Sequence, residues 1–237
     1  MAKSIDFSGQ SAYIEEADQT GLNVDDFTMM CWLKTNSVGQ QCFMAKAYKE
    51  GSHNPARYAF RLLDDTGVNY LTFTFYYKFG AQVLQDVVQS GVSVSTDVWT
   101  HVAIVFTAGN GEVKFYKNGV LEDTQTVVGS GTNVMEWTAV GFSIGASGDQ
   151  DGVGYETDYF DGKIFAPFMD NAAQDATFIA SKHRRITTLA ESAVAFYEFK
   201  DNLEDSSPET NHLTANGTIT YSTDVPFIEF IPQIGML

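Results

Sequence analysis

Cysteine, basic residues and long apolar segments are all scarce in this chain of 237 residues. Two cysteines are too few for a disulfide framework. Only 14 lysines and arginines stand against 30 aspartates and glutamates, and the net charge is −16. Such a charge disfavours nucleic acid and anionic membranes as partners, because both bind basic surfaces. No apolar run reaches the ~18 residues that span a membrane.

The first residues carry no pattern typical of a secretion signal. Residues 1–7 enter a predicted strand at once, without a charged region, an apolar core or a cleavage site. We therefore expect a chain made in a cytoplasm, or the mature form of an exported one. Calcium and neutral glycans remain compatible with its acidic charge.

For the two cysteines the sequence leaves two arrangements open. If the connection between Cys31 and Cys42 centres on Asn36 and Ser37, the cysteines lie opposite each other across a hairpin. A chain kept in a reducing compartment has free thiols instead. We expect free thiols.

Alternating apolar and polar residues divide the chain into short strands. In residues 99–120, two alternating runs are followed by Asn118 and Gly119, the residue pair that favours a type I′ hairpin turn. A helix is predicted at 171–183, capped by Asp170 or Asn171 and ended by basic residues. Other strands are predicted at 4–7, 12–15, 27–34, 42–46, 58–63, 70–77, 82–88, 120–127, 139–144, 160–168, 194–199 and 218–221.

Five segments, in order, resemble the laminin G-like and pentraxin-like jelly rolls of the concanavalin A-like lectin and glucanase superfamily. They are the F-S-G and Y-I-E pieces of 7–15, F-T-x-x-x-W-x-K at 27–34, W-T-H-V-A and Y-K-N-G within 99–119, I-G and F-D-G-K-I within 144–164, and 194–212. The resemblance implies an all-β fold, a two-sheet antiparallel jelly-roll sandwich with one short helix, in residues 1–225. Because the superfamily contains lectins, glucanases, adhesion modules and virion parts, function must be argued from a site.

Acidic residues are concentrated between 147 and 161. Asp149 and Asp151 have a spacing that lets two carboxylates of one loop converge on a hard cation. The resemblance implies a second route to the same ion, a structural calcium between the turn at Gly9 and the strand at Asp161. The alternative is a solvated loop in an acidic protein. Calcium is the cofactor we expect.

A glycan site would combine aromatic faces with hydrogen-bonding groups on a sheet or its rim. In residues 70–77, Thr72 and Thr74 lie on the face opposite the apolar residues, which is either a binding surface or a solvated face. We expect a solvated face, because threonine is a good strand residue. The candidate sugar-stacking residues are Tyr48, Tyr76, Trp137 and Tyr155.

Catalytic motifs are absent from the sequence. Glucanases of the resembling superfamily carry a strand motif with three acidic residues, and its nearest match, 156–160, has one carboxylate too few. Residues 141–145 match the nucleophile-elbow letters but lead into an acidic loop rather than a helix. His101 lies in a predicted strand and is expected to be structural. We expect no enzymatic activity.

The C-terminal segment 226–237 is apolar, and its two prolines exclude a helix or a central strand. As an arm it either covers an edge of its own domain or docks into another subunit, since an apolar terminus left in water promotes aggregation. The docking residues would be Phe227, Ile228, Phe230, Ile231, Ile234 and Leu237.

These features favour a non-catalytic, lectin-like structural or adhesion component of a larger assembly, most concretely a bacteriophage virion surface or fibre protein. Its expected partners are other subunits and glycans, and its expected location is the virion. The alternative is an extracellular, calcium-dependent carbohydrate-binding module of a secreted or cell-surface protein. A glycan-active enzyme is the third possibility.

Overall fold

The computed structural model describes residues 2–16, 22, 24–46, 58–79, 82–127, 141–147, 158–184 and 192–226, with only the backbone at 76–79 and 82–85. These residues form short strands and a helix. The elements are β1 Ser4–Asp6, β2 Tyr13–Glu16, β3 Phe27–Thr35, β4 Gln41–Lys46, β5 Tyr58–Asp65, β6 Val68–Phe79, β7 Gln82–Val94, β8 Thr100–Thr107, β9 Glu112–Lys117, β10 Val120–Thr126, β11 Phe142–Ile144, β12 Gly162–Asp170, α1 Ala176–Arg184, β13 Ala193–Phe196, β14 Thr214–Asn216 and β15 Thr220–Ser222.

The described strands form two antiparallel sheets. One has eight strands in the order β10-β9-β8-β3-β12-β1-β15, with β13 also paired to β12. The other has seven strands in the order β14-β2-β11-β4-β5-β6-β7. The predicted fold, an all-β two-sheet sandwich with a short helix, is confirmed.

Apolar side chains from the inner faces of both sheets fill the space between them. Phe27 of β3 contacts Tyr58 of β5 with ring centroids 4.8 Å apart, and Phe73 of β6 at 6.0 Å. Phe106 of β8 completes the group, 5.4 Å from Phe27. All four rings are buried, as alternation in their strands predicts.

Helix α1 begins later than the sequence suggested. Its cap is Asp175, whose carboxylate accepts a hydrogen bond from the Phe178 amide at 2.8 Å. Asp170, one of the predicted caps, ends β12 and accepts the Ala172 amide at 3.0 Å. The helix packs on the outer face of the eight-stranded sheet through Ile179. No helix in the described ranges is long and apolar enough to cross a membrane.

The two cysteines belong to different sheets. Cys31 lies in β3 and Cys42 in β4, so residues 36–40 connect the sheets and the hairpin arrangement considered for the cysteines is wrong. Both thiols are free and buried, as expected. Burial raises the pKa of both, that of Cys42 to about 12. Neither thiol is a nucleophile at neutral pH.

Strand β7 extends six residues beyond its predicted end at 88, to Val94. Ser90, Gly91 and Val92 face a single residue of β6, Leu71, and form a bulge. The Ser90 hydroxyl donates to the Leu71 carbonyl at 2.8 Å and accepts the Val92 amide at 3.2 Å. The bulge allows the strand to continue past the point where simple alternation ends.

The carboxylate of Asp224 fastens the end of the described chain to the outer face of the eight-stranded sheet. It accepts hydrogen bonds from Trp99 at 2.9 Å and from Lys34 and Lys163 at 3.1 Å each. The Asp224 carbonyl also accepts the Ser4 hydroxyl at 2.6 Å. The Trp99 indole N–H, followed by the two lysines, lowers the pKa of Asp224 to about 2. We call this group the Asp224 clasp.

We predict that Asp224→Asn lowers the free energy of unfolding by about 1–2 kcal/mol at pH 7, a value reduced because the carboxylate is partly exposed. A lowered carboxyl pKa stabilises the fold above the unfolded value near 4, and this stabilisation is lost as the pH falls through about 2. Urea unfolding of the wild type and of Asp224→Asn should therefore show a smaller difference in the free energy of unfolding at pH 3 than at pH 7. Asp65→Asn, at an exposed hairpin tip, is the control. Equal effects of the two variants would contradict the prediction.

Candidate functional site

The outer face of the seven-stranded sheet, opposite the core, carries small and hydroxyl-bearing side chains. Strand register places them in two neighbouring rows, and every member except Arg61 is at most 1% exposed. The face of Thr72 and Thr74 is therefore closed to solvent, and the expectation that it is solvated is wrong. The rows are Ser143, Ala45, Ala59 and Thr74, and then Cys42, Arg61 and Thr72.

An ion pair between Arg61 and Asp158 lies at the edge of this closed face. Arg61 Nη1 is 3.0 Å from Asp158 Oδ2, and the side chains are 16% and 7% exposed. Asp158 also accepts hydrogen bonds from Gln40 at 2.9 Å and Ser147 at 3.4 Å. Its main-chain carbonyl accepts the Cys42 amide at 2.8 Å. A carboxylate so fully engaged is a structural group rather than a general acid.

The alternation of β5 explains why Arg61 points outward. Tyr58, Phe60 and Leu62 occupy the core-facing positions, so residue 61 belongs to the other face. Asp158, by contrast, comes from the acidic stretch 147–161, where the sequence suggested a metal site. The lone basic residue among apolar ones in β5 was the available signal for the pairing.

The turn after β1 and the residue before β12 meet, as the calcium hypothesis requires. The Gly9 amide donates to Asp161 Oδ1 at 3.2 Å, and the Asn36 side chain donates to the same oxygen at 3.3 Å. The Gly9 amide and the Asn36 side chain thus share one oxygen of the Asp161 carboxylate. The described part of the chain holds no group of three His, Cys, Asp or Glu side chains that could bind a metal ion. The calcium assignment of Gly9 and Asp161 stays a prediction.

Most of the other predicted site residues lie outside the described ranges. For Tyr76 the structure gives a backbone position in β6, opposite Gln85, without its side chain. The calcium, glycan and docking assignments of the remaining residues stay predictions. These residues are Asp149, Asp151, Tyr48, Trp137, Tyr155, Phe227, Ile228, Phe230, Ile231, Ile234 and Leu237.

His101 is buried beneath α1, on the outer face of the eight-stranded sheet. Its ring contacts Trp32 at 5.4 Å and His183 at 5.5 Å, and His183 stacks on Trp32 at 5.1 Å. Burial, and then the charge of His183, lower the pKa of His101 to about 3, so the ring is neutral at physiological pH. The Asn118 amide donates to the His101 carbonyl at 2.8 Å, and the His101 amide donates to Asn118 Oδ1 at 3.1 Å. His101 is a structural residue, as expected, whereas no sequence pattern indicated its contact with His183.

A groove of about 470 Å³, open to solvent, lies where β7 of one sheet approaches the β9–β10 hairpin of the other. Residues 91–93 form one wall, and Lys117, Val120, Glu122 and Asp123 are among the residues of the other. Two hydrogen bonds join the walls: the Gly91 amide donates to Asp123 at 2.9 Å, and Lys117 donates to the Ser93 carbonyl at 2.7 Å. No sequence pattern predicted this groove, because its walls come from separate strands of different sheets.

The two antiparallel sheets and the short helix define the fold as a jelly-roll sandwich. The sequence profile of the Concanavalin A-like lectin/glucanases superfamily matches residues 8–165. The chain belongs to this superfamily. None of the curated proteins compared with the chain matches it.

Solved structures share the fold at low sequence identity. The heptameric SAP-like pentraxin of Limulus polyphemus has a TM-score of 0.66 and 13% identity over 93% of this chain and 94% of that chain. The CBM40 of the Ruminococcus gnavus IT-sialidase, bound to α2,3-sialyllactose, has a TM-score of 0.52 and 16% identity over 71% and 93%. The enzymatically active domain of tailspike protein 2 of bacteriophage CBA120 has a TM-score of 0.53 and 11% identity over 75% of this chain and 27% of that one.

We predict that Arg61→Ala lowers the free energy of unfolding by about 3–5 kcal/mol, because Asp158 stays buried without its counter-charge. The double variant Arg61→Ala/Asp158→Ala should lose less than the sum of the single changes. Chemical denaturation of the four proteins measures the coupling. Lys200→Ala, which breaks the exposed pair with Glu198, is the control and should cost under about 1 kcal/mol. Strict additivity at Arg61 and Asp158 would refute the pairing.

Proposed function

We propose that the chain is a non-catalytic, lectin-like structural or adhesion component of a larger assembly that binds glycans. The observation that carries the proposal is the jelly-roll sandwich, whose lectin and glucanase superfamily profile matches residues 8–165. On the outer face of the seven-stranded sheet, Asp158 is committed to Arg61, and Cys42 is a protonated thiol. Glycoside hydrolysis requires two carboxylates that are free to act as acid and as base or nucleophile. A binding role needs no such pair.

Solved structures that share the fold support the class of protein that we propose, a lectin-like binding domain. The pentraxin aligns over nearly its whole length, and the sialidase CBM40 is a domain shown with a bound glycan. The aligned tailspike structure is an enzymatically active domain of a bacteriophage protein, so it supports the location on a phage and not the absence of catalysis. Most concretely, we place the chain on a bacteriophage virion surface or fibre.

Assembly is the second part of the proposal, and the Asp224 clasp supports it. The clasp holds residues 224–226 against strands β1, β3 and β12, and Val225 packs beside the outer apolar cluster. Residues 227–237 therefore continue from a fixed point of the domain. Their apolar side chains are the ones we assign to contact with another subunit.

We predict selective glycan binding without turnover. The purified chain is applied to an array of neutral and sialylated glycans, with and without EDTA, and release of reducing sugar is measured in parallel. Binding of one glycan class without release supports the proposal. Absence of binding to every glycan overturns it, and release of sugar overturns its non-catalytic part. Loss of binding in EDTA would favour the alternative, a calcium-dependent carbohydrate-binding module.

We predict that removal of residues 227–237 abolishes assembly without lowering the unfolding midpoint, because the clasp remains intact. Light scattering after size-exclusion chromatography measures assembly, and thermal unfolding measures stability. Conversion of Asp224 to Asn in the full-length chain is the matched control, since it weakens the clasp and leaves the arm in place. A monomeric full-length chain, or a truncated chain that unfolds earlier, would show that the arm serves its own domain.

A further inference from the structure

The groove between β7 and β10 is built by two sheet irregularities that face each other. In β10, Glu122 is an extra residue between Leu121, opposite Tyr116, and Asp123, opposite Phe115. In β7, the bulge at residues 90–92 lies on the facing wall. Bulges redirect side chains and interrupt pairing, and they are over-represented beside functional sites. Two of them converge here on one solvent-open space.

Both walls are edges of their sheets. Among the described strands, β7 pairs only with β6, and β10 pairs only with β9. Edge strands present unpaired N–H and C=O groups. The hydrogen bonds from Gly91 to Asp123 and from Lys117 to Ser93 join these two edges and fix the distance between them. The groove is therefore preformed, which reduces the entropy lost on binding.

The lining indicates the chemistry of the occupant. Glu122 is exposed, Lys117 supplies an amine, and Val120, which is 59% exposed, supplies an apolar patch. No aromatic ring is among the described residues of the lining, so a sugar here would be held by hydrogen bonds to its hydroxyls and by contact of its apolar C–H face with Val120. Two carboxylates against one amine, in a chain of net charge −16, disfavour acidic sugars. The bulges also disfavour an added peptide strand, because regular pairing is interrupted on both edges.

We infer that the groove between β7 and the β9–β10 hairpin binds a short neutral oligosaccharide. Its volume of about 470 Å³ lies within the ~300–1,000 Å³ of pockets that take a drug-sized ligand, which corresponds to two or three sugar units. The choice of a saccharide rests on the proposed function, whereas the position of the site rests on the groove itself.

Filling the groove tests its position. Gly91 has no left-handed backbone, and a Cβ there would come no closer than 4.0 Å to Asp123, so Gly91→Trp places a large side chain in the groove without backbone strain. Gly109→Trp, in a turn where a Cβ meets nothing within 4 Å, is the matched control. The neutral array glycan with the strongest signal, and its sialylated counterpart, are titrated against each protein by calorimetry. We expect at least tenfold weaker binding by Gly91→Trp and unchanged binding by Gly109→Trp.

A second variant keeps the test decisive if Gly91→Trp does not fold. Glu122→Ala, at an exposed position, should retain the unfolding midpoint and weaken binding of the neutral glycan several-fold. Unchanged binding in every folded groove variant overturns the inference and leaves the proposed function standing, since the wild type still binds. Failure of the wild type to bind any glycan overturns both. Stronger binding of the sialylated glycan refutes the neutral class.

Discussion

The contact of Phe27 with three other rings is the interaction on which the sandwich depends. Phe27 belongs to the central part of the eight-stranded sheet, and its partners Tyr58 and Phe73 belong to the seven-stranded one. Each such ring pair contributes about 0.5–1.5 kcal/mol to the stability of the fold, in addition to the contribution of the apolar area that it buries. Because β3 and β5 are held face to face by these rings, the register of their neighbours determines which side chains enter the core and which turn outward.

The two outer faces of the sandwich carry different side chains as a result. The outer face of the eight-stranded sheet is aromatic, with Trp32 and Phe168 buried there, and α1 lies over it. The outer face of the seven-stranded sheet instead carries alanines, hydroxyls and the Arg61–Asp158 pair, and its centre is closed. Neither face offers an open concave surface at the described positions. Among the described residues, one space open to a ligand lies between the sheets at their free edges, where the aromatic contacts of the core end.

Local patterns predicted the fold well and the site poorly. Alternation located β3, β6 and β8 because burial on one face imposes a period of two on each strand by itself. The start of α1 was misplaced because Thr28 and Asp170 bind the preceding segment, a tertiary effect that capping preferences do not contain. The sequence shows only that Asp158 is close to other acidic residues, so we grouped it with them. Its ion pair with Arg61 depends on how β5 aligns with β4, which the sequence does not show.

The groove shows why a site of this kind has no sequence signature. Catalytic and metal sites need particular side chains at particular spacings, so they leave motifs. This groove is shaped by backbone, by one extra residue in β10 and by the three-residue bulge at Ser90–Val92. Gly91 inside a strand indicates a bulge, but only the contacts with Leu71 and Asp123 show what Ser90 and Gly91 do there. A sandwich can therefore acquire a ligand site by altering strand pairing at its edges while the residues of its core stay the same.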